Sequence, residues 1–309
     1  MAIFNQVVKG SGGGSGPDRY LEFSVDANGV LTHSTTSPLM NFSGVKKIDG
    51  DYLFYKAYQN STFSGTVDMS DVEEVSGTSV CACMFQDNQN ITSLKLSKLK
   101  TVNSTFALDK ICNGCSSLVN IDFTALESFT STGAASYGFQ YAFDGTQLQT
   151  LRFPSLNMMP SGRLFGNAFY GCRSLQSLWF YALDTNSFGS RTNQFNSMLS
   201  ACTNVTVHFP IRIQSTIGSW TDVTNGFGGT NTTVLFDIVT TLTGADGNTY
   251  TRQEKDSTTT ATAWVYNDTL YYTSGVSDNA HGVNEPAVSD AIYSDAACTQ
   301  SVTTITALA

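Results

Sequence analysis

Charge is scarce in this chain. Asp, Glu, Lys and Arg make up 13% of its 309 residues, about half of the ~25% usual for a soluble protein. The 16 basic residues are outnumbered by 25 acidic ones, for a net charge of −9. Basic residues gather only at Lys46-Lys47 and from Lys95 to Lys100. Nucleic acid as a partner is therefore excluded, because phosphates are held by clustered Lys and Arg. No apolar run approaches the roughly 18 residues that a membrane-crossing helix needs, so membrane insertion is not expected. The opening, Met1-Ala-Ile-Phe-Asn-Gln-Val-Val-Lys9, lacks a basic segment followed by an apolar one and does not read as a secretory signal.

Histidine is rarer still. His33, His208 and His281 lie in separate segments, none beside a cysteine or serine in a nucleophile motif. G-x-S-x-G, H-E-x-x-H and phosphate-loop sequences are missing. These absences predict a protein that is not an enzyme and needs no cofactor or metal. In place of charge the chain is rich in Ser, Thr, Asn and Gly, a composition suited to mostly β proteins of extracellular or virion surfaces.

The seven cysteines, Cys81, Cys83, Cys112, Cys115, Cys172, Cys202 and Cys298, are odd in number and irregular in spacing, which is not a disulfide framework. Cys81-Ala-Cys83 and Cys112-Asn-Gly-Cys115 raise the idea of a four-thiolate zinc site. An internal repeat explains most of these cysteines better, as small buried residues.

The repeat is clearest in Leu175-Gln-Ser-Leu178-Trp-Phe180-Tyr-Ala-Leu183. The same L-x-x-L-x-L-x-x-L pattern stands at Leu148 to Leu156, Leu118 to Leu126 and Ile91 to Leu99, with weaker copies around Val67 and Val207. The anchors Val67, Leu94, Ile121, Leu151, Leu178 and Val207 are separated by 27, 27, 30, 27 and 29 residues, a period characteristic of solenoids. The L-x-L unit is a period-two strand with both apolar side chains inward. About six buried side chains per repeat, at ~1.5–3 kcal/mol each, give a gross gain on the order of 10 kcal/mol. Ordering a coil of this length costs more, so each coil needs its neighbours.

A second signature precedes the strands: Ala168-Phe169-Tyr-Gly-Cys172-Arg-Ser-Leu175, then Ala142-Phe143-Asp-Gly-Thr146, Ile111-Cys112-Asn-Gly-Cys115 and Met198-Leu199-Ser-Ala-Cys202. Cys115, Cys172 and Cys202 thus fill one repeated slot, and Cys112 takes the place of the phenylalanine. These residues resemble the BspA-like family of leucine-rich repeats, whose units carry A-F-x-x-C-x-x-L before the strand. The resemblance covers roughly residues 54–210. It implies a leucine-rich-repeat solenoid with a parallel strand ladder, and a role in cell-surface adhesion, host binding or phage particle surfaces without chemistry. The longer repeats and the insertions Thr130 to Tyr137 and Thr185 to Thr192 depart from the family pattern and are expected as loops on the convex side.

Four segments are expected. Residues 1–16 are a docking peptide, with Ile3, Phe4, Val7 and Val8 as its apolar contacts, and a Gly/Ser linker. Residues 17–62 form an N-terminal β cap around the turn Asp26-Ala-Asn-Gly29. Residues 63–237 are the solenoid with its C-terminal cap, and 238–309 a small β module. The C-terminal text, D-G-x-x-Y through Y-Y-T to Y-S-D, and the opening M-x-x-F-N-x-V-x-K-G are similar to segments of tail and fibre proteins of gut bacteriophages.

Two places invite a functional reading. Asp68, Asp71, Glu73 and Glu74 are the densest acidic group. A carboxylate pair for glycoside hydrolysis is conceivable there, against a solvated edge of the first repeat. The outward residues between the inward strand positions run Asp68, Lys95, Asp122, Arg152, Trp179 and His208. They are expected as cross-strand neighbours, the charged four forming a ladder of alternating sign. Trp179 with Tyr181, flanked by Arg152 and His208, suits stacking on a sugar ring or anchoring a protein partner, unless the C-terminal module or a loop covers the pair. The sequence therefore predicts a virion fibre, tail or head-decoration subunit. It would dock to other virion proteins through its N-terminus and present the solenoid to a host-surface glycan or protein, as a homo-oligomer with a trimer the expected number. A bacterial cell-surface adhesin and a glycan-processing enzyme are the alternatives.

Overall fold

In the computed structural model, residues 22–25, 30–34, 42–130, 137–159, 162–188, 193–253, 261–267, 269–276, 286 and 289–308 are described. The docking residues Ile3, Phe4, Val7 and Val8, the linker, the Asp26 to Gly29 turn, and most of the Thr130 to Tyr137 insertion lie outside them. The fold is mostly β, with two single-turn α-helices, α1 (Gln214–Ile217) and α2 (Thr221–Thr224), among the described residues.

The repeat winds the chain into stacked coils. One ladder begins with an antiparallel hairpin, β1 (Glu22–Val25) and β2 (Val30–Ser34). It continues in parallel through β3 (Lys47–Asp49), β5 (Glu74–Ser76), β7 (Thr101–Asn103) and β9 (Ser128–Phe129). On a second face, β4 (Gly65–Asp68), β6 (Ile91–Lys95) and β8 (Asn120–Asp122) pair in parallel. So do β10 (Thr150–Phe153), β11 (Ser177–Phe180), β12 (Thr206–Pro210) and β13 (Thr233–Ile238). The anchors meet in register, Val67 with Leu94 and Leu94 with Ile121, then Leu151, Leu178 and Val207 in succession, and all are buried.

Coils extend beyond both ends of the stretch that reads as repeats. Residues 42–62, expected as part of the cap, already form a coil: Ile48 pairs with Val75 on one face, and Phe54 N–H donates to the Val80 carbonyl on another. After β12, the expected C-terminal cap adds one further coil, in which Val234 pairs with Val207.

The third face is an arch of successive tight turns. Along residues 52–61, the amides of Tyr52, Phe54, Lys56, Tyr58 and Asn60 donate to the next coil, while those of Tyr55, Ala57, Gln59 and Ser61 donate three residues back. Such alternation requires left-handed backbone at every fourth residue, and Tyr52, Lys56 and Asn60 have φ of 58°, 57° and 55°. The pattern recurs at Ser79, Cys83 and Asp87, and at Phe106, Lys110 and Gly114. The conformation is costly for side-chain-bearing residues. Here every turn is over-determined by hydrogen bonds to neighbouring coils.

Inside, phenylalanines form lengthwise spines. Phe123, Phe153, Phe180, Phe209 and Phe236 stack from strand to strand at 6.0, 5.1, 5.2 and 5.7 Å. Phe139, Phe165 and Phe195 run beside them along the arch at 5.4 and 5.8 Å. Edge contacts tie the two rows, such as Phe153 to Phe165 at 5.4 Å.

The cysteine slot has a polar job. Cys115, Cys172 and Cys202 each donate S–H to a carbonyl of the preceding coil, those of Phe85, Phe143 and Phe169, at 3.0, 2.9 and 2.9 Å. Thr146, in the same slot, donates to Phe143 at 2.9 Å. Burial pushes the Cys172 thiol up to about 12, so it stays protonated and keeps donating.

Residues 241–308 close into a six-stranded antiparallel barrel: β14 (Thr241–Gly244), β15 (Thr249–Gln253), β16 (Ala261–Tyr266), β17 (Thr269–Val276), β18 (Ala291–Tyr293) and β19 (Ser301–Leu308). Pairing of Leu242 with Leu308 completes the closure. Its core holds Trp264, whose Nε1–H donates to Thr273 at 3.0 Å, with Leu242, Tyr250, Ile292 and Ile305.

Two stability experiments follow from this packing. Replacing Cys172 with Thr preserves a small donor and is expected to cost under about 1 kcal/mol, whereas Cys172→Leu overfills the slot at ~1–3 kcal/mol; urea midpoints separate the two. Asp109 has one carboxylate oxygen buried without a hydrogen-bond partner, and burial raises its pKa to about 6. Its folded value exceeds the unfolded one, so stability falls as pH rises from about 4 to about 6 and the penalty persists above. Asp109→Asn should therefore raise the melting midpoint at pH 7.5 and leave it nearly unchanged at pH 4.

Candidate recognition surface

The outward column of the strand face assembles in two halves. Asp68, Lys95 and Asp122 are register partners, with Lys95 Nζ 3.8 Å from Asp68. In the second ladder, Arg152, Trp179 and His208 follow one another in register. The ladder of alternating sign is therefore interrupted: β8 and β10 belong to different sheets, and Asp122 and Arg152 are not strand partners.

The second half is a stack. The Arg152 guanidinium lies 5.7 Å from the Trp179 ring. The His208 imidazole lies parallel to the indole, with centroids 3.4 Å apart. Tyr181, two residues along the strand, stacks beside Trp179 at 5.9 Å. Asp237 on β13 holds His208 Nδ1 at 2.8 and 3.0 Å, and Ser177 accepts the indole N–H at 3.1 Å.

The aromatic pair does not face solvent. Trp179 is only 3% exposed and Tyr181 5%. Of the two alternatives, an open sugar-stacking face or a covered pair, the covered one holds: the chain leaving β13 and the barrel behind it lie over the pair. Ile238, fully buried, packs into one cluster with the two rings. Arg252 on β15 sets its guanidinium 5.4 Å from Tyr181 and 5.9 Å from the barrel's Trp264, and its Nη1 donates to the Val239 carbonyl at 3.0 Å. The cluster is the joint between solenoid and barrel.

Asp237, Ile238 and Arg252 were not legible as members of this cluster. Asp237 follows Val234, whose 27-residue distance from Val207 was the available signal that one more coil stood there. Nothing local marks Arg252 as a partner for Tyr181.

The acidic group near the first coils is an ion-pair lattice. Lys98 and the Gly44 amide hold Asp71, Lys46 holds Glu73, and Lys47 lies 3.0 Å from Glu74. Asp68 accepts from the backbone and hydroxyl of Ser70. Hydrogen bonding, from Ser70, Lys98 and Lys46 respectively, holds the Asp68, Asp71 and Glu73 carboxyls below their usual range. A glycosidase acid needs the opposite shift, so these residues fit the solvated-edge reading. Among the described residues no group of three or more metal-ligating side chains converges. Burial pushes the Cys81 thiol up to about 12. Among the described residues, no helix is long and apolar enough to cross a membrane.

Compared with known proteins, the chain matches no family model, no curated protein and no solved structure.

A double test addresses the joint. Trp179→Ala removes a buried aromatic and is expected to cost ~3–5 kcal/mol. Arg252→Ala is expected to leave the solenoid intact and loosen only the barrel. Limited proteolysis of Arg252→Ala should therefore cut faster near residues 238–240 than in wild type, and equal rates would count against the joint.

Proposed function

We propose that this chain is a non-enzymatic recognition protein, a BspA-like leucine-rich-repeat solenoid carried as a virion-surface subunit. It docks to other virion proteins through the segment containing Ile3, Phe4, Val7 and Val8, works as a homo-oligomer with a trimer the expected number, and turns the solenoid toward a host-surface glycan or protein. The observation carrying this reading is the in-register stack of coils. Coils buried against one another present their outward residues as long columns at strand spacing, about 4.8 Å, which is how solenoids build extended binding surfaces. The ion-paired state of Asp68, Asp71 and Glu73 supports a passive surface over hydrolysis.

Immunogold labelling of purified particles with antibody to the chain tests the location, with label expected on particles. Label confined to a bacterial envelope would replace the virion reading with that of a surface adhesin, and label on neither would overturn both. Glycan hydrolysis lost on Asp68→Asn or Asp71→Asn would overturn the non-enzymatic assignment.

A further inference from the structure

With Trp179 and Tyr181 sealed under the barrel, the recognition surface must be sought elsewhere, and the arch carries a better one. Outward positions of successive coils pair Phe106 with Tyr137 and, one turn further around the arch, Tyr141 with Tyr170. Phe106 and Tyr137, on adjacent coils, stack at 5.1 Å and 19°. Tyr141 and Tyr170, also on adjacent coils, sit 6.5 Å apart and tilted. Lys110 lies 5.7 Å from the Tyr141 ring. Tyr170 is 43% exposed, and the other three rings are partly exposed.

A polar rail runs beside the rings. Gln59 donates to Gln86 at 3.2 Å, Gln86 to Asn113 at 3.4 Å, and Asn113 to Asp144 at 3.0 Å. The next residue in that column is Tyr170, one coil beyond Asp144: the Gly145 amide donates to the Tyr170 carbonyl at 3.0 Å. Beside the rail, a Cβ built on Gly145 would meet no atom within 4 Å, so the flank of the row is open.

We propose that these rings bind a neutral, hexose-based glycan running obliquely across the coils that carry Phe106, Tyr141 and Tyr170. The proposal rests on the reading of the chain as a recognition protein and gives that reading a ligand class and a place. Ring faces suit the apolar C–H faces of sugars; side-chain amides both donate to and accept from hydroxyls, and carboxylates accept from them. A protein hot spot clusters its aromatics in one well-packed central pocket, whereas these rings lie spread as two pairs beside a polar rail. Asp109 and Asp144 on the same arch offset Lys110 and the exposed Arg163, so no excess of positive charge is present to hold an acidic sugar.

Titration calorimetry of the full chain with cellohexaose, chitohexaose and mannohexaose, and with a hyaluronan oligosaccharide as the acidic probe, tests this. At least one neutral hexamer should bind, and Tyr141→Ala and Tyr170→Ala should each weaken it tenfold or more. Tyr55→Ala, an exposed tyrosine outside the row, should leave it unchanged. Should an alanine variant fail to fold, tyrosine ring resonances of the wild type provide a second measurement, and those of Tyr137, Tyr141 and Tyr170 should move on adding the hexamer. No neutral binding, tighter hyaluronan binding, folded variants that bind as wild type, or ring signals that stay put would each overturn the proposal. Binding of wild-type protein to host cells, measured in parallel, keeps the two readings apart. Cell binding that survives both tyrosine variants rejects the row alone, and absent cell binding rejects the recognition function itself.

Discussion

Stacking of identical side chains in register is the constraint on which this molecule depends. The phenylalanine spine from Phe123 to Phe236 passes from β8 to β10 at 6.0 Å, where the strand ladder itself is divided between two sheets. Strand pairing defines each half of that face, and the packed rings, with flanking hydrogen bonds such as Gln147 N–H to the Leu118 carbonyl, join the halves. A spine of this kind demands that every coil return its inward residues to the same height. That explains why insertions fall outside the strands and why the anchors keep register although their spacing in sequence varies.

The same demand accounts for residue choices that composition alone leaves puzzling. Cysteine recurs because the slot before each strand wants a side chain small enough for the core and able to donate to a carbonyl one coil back. Thr146, the exception among the four, donates instead within its own coil, to the Phe143 carbonyl three residues back. Left-handed backbone recurs on the arch because the turns must send alternate amides to the neighbouring coil. The arch thereby points a row of large side chains outward, and the strand face loses its own aromatic pair to the joint with the barrel.

Much of this was legible in the sequence, and the rest was not for identifiable reasons. The six anchors, the slot occupied by Cys115, Cys172 and Cys202, and the hairpin flanking Asp26 to Gly29 follow from periodicity and turn chemistry, which act locally. The coil ending in β13 was missed because Gly226-Phe227-Gly-Gly-Thr230 keeps only the ring and the hydroxyl of the A-F-x-x-C signature. Barrel closure rests on pairing the first strand with the last, Leu242 with Leu308, which no local pattern encodes. The covering of Trp179 depends on Ile238 and Arg252, which meet it only after two separate units have folded. The outward column correctly gave the neighbours of Trp179 within its sheet, but a column says nothing about what lies above it.

Among the described residues, interior strands pair with those of the coils before and after them, while two specialised contacts sit at the ends: the β1–β2 hairpin at one and the Trp179, His208 and Arg252 joint at the other. A whole coil is therefore the natural unit of gain or loss in descent. Unequal exchange between repeats would lengthen or shorten the body by one rung while leaving both terminal fittings untouched, so reach can drift across a lineage independently of how the ends are fastened.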